Sequence, residues 1–295
     1  MLVCVSVHMF YLSHPIRSFL CSLVTIVLAP GAAAATLKIN GSTTVNLPVA
    51  EAAEILRAEQ KLDIHVDTQG GSSGGISMLG DGQVEIGMIS KHVSEDDRKK
   101  YPQCAFKEIH LGEDAVALIV SKDVWDNNVR TLTKQQAKDI YEGKITNWKD
   151  VGGGKSQRIA FFNKEPGRGT WEVFVHWIYG SPKAAPQVSF PEVGGNEETR
   201  NKVASTRGAM SQLSSSWADG KKVFALSLVG DDGKAVEPTE ANIATHKYPL
   251  SRPLFVLTNG EPKGDAKTMV DFLLSDRGQE LVKKHGYLPL KALAK

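Results

Sequence analysis

Cysteine is nearly missing from this chain: Cys4, Cys21 and Cys104 are its three in 295 residues. Two fall in an N-terminal leader described below, so the mature chain has no partner for an intramolecular disulfide. His65, His92, His110, His176, His246 and His285 are scattered without ligand spacing, which argues against a metal centre. No G-x-x-x-x-G-K-[ST] phosphate loop occurs. Repeats of 20–50 residues, low-complexity runs and coiled-coil heptads are absent as well. A formal net charge of +2 supplies no field that would gather nucleic acid or an anionic membrane surface, so preference for an anion must be built locally. The long apolar run, Phe19–Ala29, is too short for a membrane span.

That run belongs to a leader. Residues 1–35 hold no Asp or Glu and a single Arg17, then the apolar stretch, Pro30-Gly31 and a run of alanines through Ala35. This is the pattern of a cleaved secretory signal peptide, with translation starting at Met1 or at Met9. Ser18-Phe19-Leu20 before Cys21 lacks the small residues of a lipoprotein signal. Cleavage leaves 260 of the 295 residues, enough for two ordinary domains, and lowers the charge by one.

In the mature chain, strands, turns and helices alternate. Leu37–Ile39 reads as a strand that opens into Gly41-Ser42-Thr43-Thr44-Val45, followed by an amphipathic helix with Pro48, Val49, Ala52, Ala53 and Leu56 on its apolar face. Leu62–Asp67 is a strand leading into a loop, Gly70–Gly75, and a short helix with Ile76 and Leu79. Strands are expected at Val84–Ile89, Lys107–His110, Ala115–Val120, Gln157–Phe162, Val223–Leu228 and Leu254–Leu257. Thr133 caps a helix that ends at Gly143, and helical stretches cover Glu197–Ser205, Asp265–Leu274 and Asp276–His285. The fold class is α/β.

Three turns share one design: Ser42-Thr43-Thr44, Ser72-Ser73-Gly74 and Arg168-Gly169-Thr170 each join a strand to a helix start. In an open α/β sheet such turns lie at the carboxyl ends of strands, where ligands collect. A helix N-terminus presents unpaired N–H groups and a positive dipole end, Gly167 and Gly169 permit close approach, and Lys164 and Arg168 add charge. Together these suit a small anion. Singly, the third turn is also what an ordinary capped helix would show, with Thr170 as N-cap and a cation facing water. Gly71-Ser72-Ser73-Gly74-Gly75 also satisfies G-x-S-x-G, so a secreted serine hydrolase using Ser73 is the rival reading. Trp148, Trp171 and Trp177 read as packing residues, and Asp96–Lys100 as a solvated helix face.

These segments, with Ile86-Gly-Met-Ile-Ser-Lys91, Thr131-Leu-Thr133, Ile140-Tyr-Glu-Gly-Lys-Ile-Thr-Asn-Trp148 and Glu165-Pro-Gly-Arg-Gly-Thr170, resemble the periplasmic phosphate-binding proteins of the phosphate ABC transporter, the PstS family, over essentially the whole mature chain. The resemblance implies a two-lobed type II periplasmic binding protein fold with ligand in the cleft. Lobe 1 would be residues 36–119 plus 251–295 and lobe 2 residues 120–250, with Ala115–Val120 and Leu250–Val256 as crossovers. The contacts it implies are Thr44 and Val45 from the first turn and Ser72 from the second, with Thr43 and Ser73 beside them as further candidate ligand residues. The third turn would give Lys164, Arg168, Gly169 and Thr170. The family's turn commonly carries arginine at the position of Lys164 and serine at that of Arg168, so Arg168 is expected to supply the guanidinium fork. Some members place aspartate at the position of Ser90, where an acceptor takes the proton of phosphate and repels sulfate. Ser90 is the candidate acceptor here. The resemblance implies a monomeric, periplasmic, non-catalytic receptor without cofactor, whose partners are inorganic phosphate and an inner-membrane ABC permease. Sulfate, molybdate or tungstate are the alternative ligands.

Overall fold

The computed structural model describes residues 35–230 and 232–293; the expected leader, except Ala35, lies outside the described residues. The chain begins with β1 (Leu37–Gly41), α1 (Asn46–Gln60), β2 (Ile64–Asp67), α2 (Gly71–Gly80), β3 (Ile86–Ile89), α3 (Glu95–Lys100) and the long β4 (Phe106–Ser121). Then come α4 (Lys122–Asp126), β5 (Thr131–Thr133), α5 (Lys134–Tyr141), β6 (Ala160–Lys164), α6 (Gly169–Tyr179), β7 (Glu192–Val193), α7 (Asn196–Ser205) and β8 (Ala209–Ser214). It closes with β9 (Val223–Ala225), β10 (Ser227–Val229), β11 (Ala235–Val236), α8 (Glu240–Ala244), β12 (Ser251–Asn259), α9 (Gly264–Leu274), α10 (Asp276–Lys284), β13 (Leu288–Pro289) and α11 (Leu290–Leu293).

One curled sheet runs β2-β1-β3-β12-β4-β8-β6-β7, with β9 and β13 also on β4; β11-β10-β5 form a separate small sheet. Around its first half, α1, α9 and α10 bury Val49, Leu56, Met269, Leu273 and Val282 against β1 and β3. Around its second half, Phe174, Val175 and Ile178 of α6 join Ile140, Tyr141 and Trp148, the Trp148 indole donating to the Gly208 carbonyl at 3.0 Å. The arrangement is the two-lobed type II fold. Passage between the two halves is made by β4: Phe106–Ala115 pairs with β12 and Val116–Val120 with β8.

Four local expectations change. Lys107–His110 and Ala115–Val120 are one strand, because β12 lies alongside the polar stretch between them and pairs Arg252 with Asp114. The stretch expected as a loop, Gly70–Gly75, is largely the first turns of α2. A Cβ at Gly74 would sit 1.9 Å from the Gln69 carbonyl oxygen in the preceding turn and one at Gly75 2.7 Å from that of Met88 on β3, so glycine at 74 lets the turn fold onto the helix and glycine at 75 lets the helix lie against β3. β8 (Ala-Met-Ser-Gln-Leu-Ser) is buried along its whole length and too polar to announce itself as a strand. The Val223–Leu228 run breaks at Leu226 into β9 and β10, which serve different sheets.

Candidate functional site

Four helices converge on one small cleft. Val45 opens α1, Gly70 α2, Arg168 α6 and Gly195 α7, and none of these N-termini is capped by its own side chain. Of the other helices, α3, α5, α8 and α10 are capped by the hydroxyls of Ser94, Thr133, Thr239 and Ser275, while α4 and α9 have no side-chain cap. Thr170, expected as a cap, lies instead inside the first turn of α6, one residue past its start, leaving its hydroxyl for the cleft. The cleft is narrow and is lined by Ser42, Thr43, Thr44, Gly71, Ser72, Ser90, Lys164, Arg168, Gly169, Thr170, Gly194 and Asn196. No carboxylate is among these residues.

Beneath the hydroxyls lies Arg252, 1% exposed, on β12. Its Nε and Nη2 donate to Asp114 Oδ2 at 3.1 and 2.7 Å, clamping the guanidinium plane between the two strands that link the halves. The other N–H groups reach Ser90 Oγ (3.2 Å), Thr170 Oγ1 (3.0 Å) and Thr44 Oγ1 (3.2 Å). Asp114 is in turn held by Ser214 and Ser215 at 3.0 and 3.2 Å. A buried charge pair is favourable when its remaining hydrogen-bonding groups are satisfied, as here.

This network constrains the cleft hydroxyls. Thr44 Oγ1 accepts from Arg252 and from Asn196 Nδ2 at 3.0 Å, and Thr170 Oγ1 accepts from Arg252. Ser90 Oγ accepts from Arg252 and from Ser42 Oγ at 3.1 Å, while Ser72 Oγ accepts from the Ser90 N–H at 3.2 Å. Thr44 and Ser90 thus have both lone pairs engaged and keep their O–H groups to donate, whereas Thr170 and Ser72 each retain one open lone pair, and the Ser72 and Ser90 hydroxyls lie 3.5 Å apart. Ser90, expected as an acceptor for the ligand, already accepts from Ser42 and Arg252.

Of the residues expected at the site, the fold gathers Thr43, Thr44, Ser72, Ser90, Lys164, Arg168, Gly169 and Thr170 around the cleft. Val45 and Ser73 stand outside its lining: the Val45 side chain is buried in the core, and the Ser73 N–H donates to the Gly167 carbonyl at 3.1 Å. Lys164 Nζ spends its three donors on the Gly194 carbonyl (2.7 Å), the Gly195 carbonyl (3.1 Å) and Thr199 Oγ1 (2.6 Å), anchoring the start of α7. Burial, followed by the charges of Arg168 and Arg252, lowers the Lys164 pKa from 10.5 to about 7, with Glu198 and Glu165 pulling the other way. Arg168 commits Nε and Nη2 to Glu165 Oε2 at 2.9 and 2.7 Å. The guanidinium buried beneath the cleft hydroxyls is that of Arg252.

Sequence reasoning passed over Arg252, Asp114, Asn196 and the start of α7. A signal was present: Asp114 and Arg252 are opposite charges at the ends of two apolar runs, both read as crossovers. Asn196 gave none, because its role depends on a loop that Lys164 holds in place. Among the described residues no group of His, Cys, Asp and Glu is placed to hold a metal, and no helix is long and apolar enough to cross a membrane.

Comparison with known proteins bears on this geometry. A sequence profile of the PBP superfamily domain matches residues 28–277. The phosphate-binding protein PstS of Bacillus subtilis (strain 168) is 32% identical over 260 residues, covering 88% of this chain and 82% of that protein. A candidate phosphate ABC transporter substrate-binding protein of Clostridium perfringens, solved with bound phosphate, superposes with a TM-score of 0.75 at 30% identity, covering 87% of this chain and all of the other. An ABC-type phosphate transport receptor from Vibrio cholerae gives 0.68 at 29% identity, covering 85% of this chain and 99% of that one. The chain belongs to the PBP superfamily and, within it, to the PstS family of phosphate-binding proteins.

Proposed function

We propose that this protein captures inorganic phosphate in the cleft between its lobes and delivers it to an ABC permease in the inner membrane. The observation that carries this reading is the ring of hydroxyls, Thr44, Ser72, Ser90 and Thr170, lining a small cleft over the buried Arg252, which donates to three of them, and beside four helix N-termini. Hydrogen bonds to a charged acceptor contribute about 1.5–3 kcal/mol each, so a handful suffices for tight binding after desolvation is met. The relatives named above are phosphate-binding, which makes phosphate the first tetrahedral oxyanion to assign.

Binding, with no chemistry on the ligand, is the activity. Ser73 lies within α2 with its backbone N–H on the Gly167 carbonyl, and no histidine lines the cleft, so the hydrolase reading has no base to draw on. Lobe 1 is assigned residues 36–119 and 251–295, lobe 2 residues 120–250, and the protein acts as an exported, periplasmic monomer after loss of its leader. Calorimetric titration of residues 36–295, stripped of ligand by partial unfolding and refolding, tests the proposal. Micromolar or tighter phosphate binding is expected, with Thr170→Ala at least tenfold weaker, a loss of about 1.4 kcal/mol or more. Preference for sulfate, molybdate or tungstate would overturn the named ligand, and no heat with any anion would overturn the site.

A further inference from the structure

The ligand cleft is bounded on one side by a charge pair that takes no part in lining it. Lys91 directly follows Ser90 on the first lobe; Glu172 lies two residues beyond Thr170, in the first turn of α6 on the second. Lys91 Nζ donates to both Glu172 oxygens, at 2.9 and 2.8 Å, and lies 3.7 Å from Asp97 on its own lobe. The Lys91 side chain is 8% exposed and that of Glu172 22%. A second pair joins Asp96 of α3 to Lys183, just beyond α6, at the surface.

Glu172 has two electrostatic consequences. Its carboxylate sits at the positive end of α6, where it competes with an anionic ligand for the same dipole and repels that ligand. Pairing with Lys91 neutralises it, and pairing is possible only when the lobes are together. When they part, Lys91 keeps Asp97 nearby but Glu172 loses its cation. Exposed pairs contribute little, whereas breaking a mostly buried one leaves an uncompensated charge. The Lys91–Glu172 bond therefore belongs to the closed state alone.

We propose that Lys91 and Glu172 form a latch between the lobes that holds the cleft shut and sets how long the anion stays. They are positioning residues that act through closure, and the proposal builds on the phosphate-receptor reading. Because closing follows encounter, the latch acts on dissociation and little on association.

The test is stopped-flow phosphate binding to residues 36–295, read from intrinsic fluorescence, since Trp171 and Trp177 flank Glu172 on α6. Glu172→Gln is expected to raise the dissociation rate about tenfold and to leave the association rate within about threefold. Lys91→Glu should do the same or worse, and the exchanged pair K91E/E172K should return to within about threefold of the parent rate. An unchanged dissociation rate in Glu172→Gln, or a double variant no better than the single ones, overturns the latch. Failure of the parent protein to bind phosphate would sink the receptor reading instead.

Discussion

Arg252 concentrates the electrostatics of the site into one side chain. All its donors are engaged, two on Asp114 and three on hydroxyls drawn from both lobes. Lysine cannot reproduce this, because it lacks the planar fork and would present a compact, strongly hydrated charge. Arg252→Lys is expected to weaken phosphate binding at least tenfold, about 1.4 kcal/mol, in calorimetric titration. Asp114→Asn should lower both affinity and stability, because it leaves a buried guanidinium without its counter-charge, a change that costs about 3–5 kcal/mol for buried pairs. Thermal unfolding without ligand separates the two effects. An Asp114→Asn protein as stable and as tight as the parent would mean that the pair is dispensable.

At the scale of elements, the cleft is made by helix starts pressed close together. A Cβ at Gly169 would lie 2.6 Å from Ser90 Oγ and 2.7 Å from Ser72 Oγ, both on the opposite lobe. In Gly169→Ala the lobes can relieve this contact by staying apart, at little cost to either core. The expected outcome is a loss of phosphate affinity of at least tenfold with a ligand-free melting temperature within about 2 °C of the parent, since about 1 kcal/mol shifts a domain of this size by 2–4 °C. A melting temperature lowered by much more would place the strain inside one lobe.

For the whole molecule, Lys164 links protons to folding and to ligand. Its pKa is 10.5 ordinarily and about 7 in the fold, lowered first by burial and then by Arg168 and Arg252. Between these values the unfolded chain binds more protons, so stability of the ligand-free protein rises as pH increases from 7 toward 10.5. A bound dianion offsets the repulsion from the two arginines and favours the ammonium, so phosphate affinity should fall over the same interval. Measurements above about pH 8, where phosphate is mostly the dianion, isolate the protein's share, and Lys164→Met should flatten both slopes. Slopes that persist in that variant would assign the proton to another group.

The sequence by itself determined the α/β alternation, the amphipathic face of α1 and the glycine-hydroxyl turns ahead of α1 and α6, because periodicity and such turns act over neighbouring residues. Only the tertiary structure decided what those turns face. Gly70–Gly75 reads as a loop until β3 lies against it, and β8 reads as nothing until it is covered on both sides. Arg252 reaches Thr44 across 208 residues and Thr170 across 82, and Asn196 meets Thr44 across 152. Such contacts depend on strand register and lobe closure. A charge in an apolar strand reveals that it must be paired, but its partner is chosen by the fold.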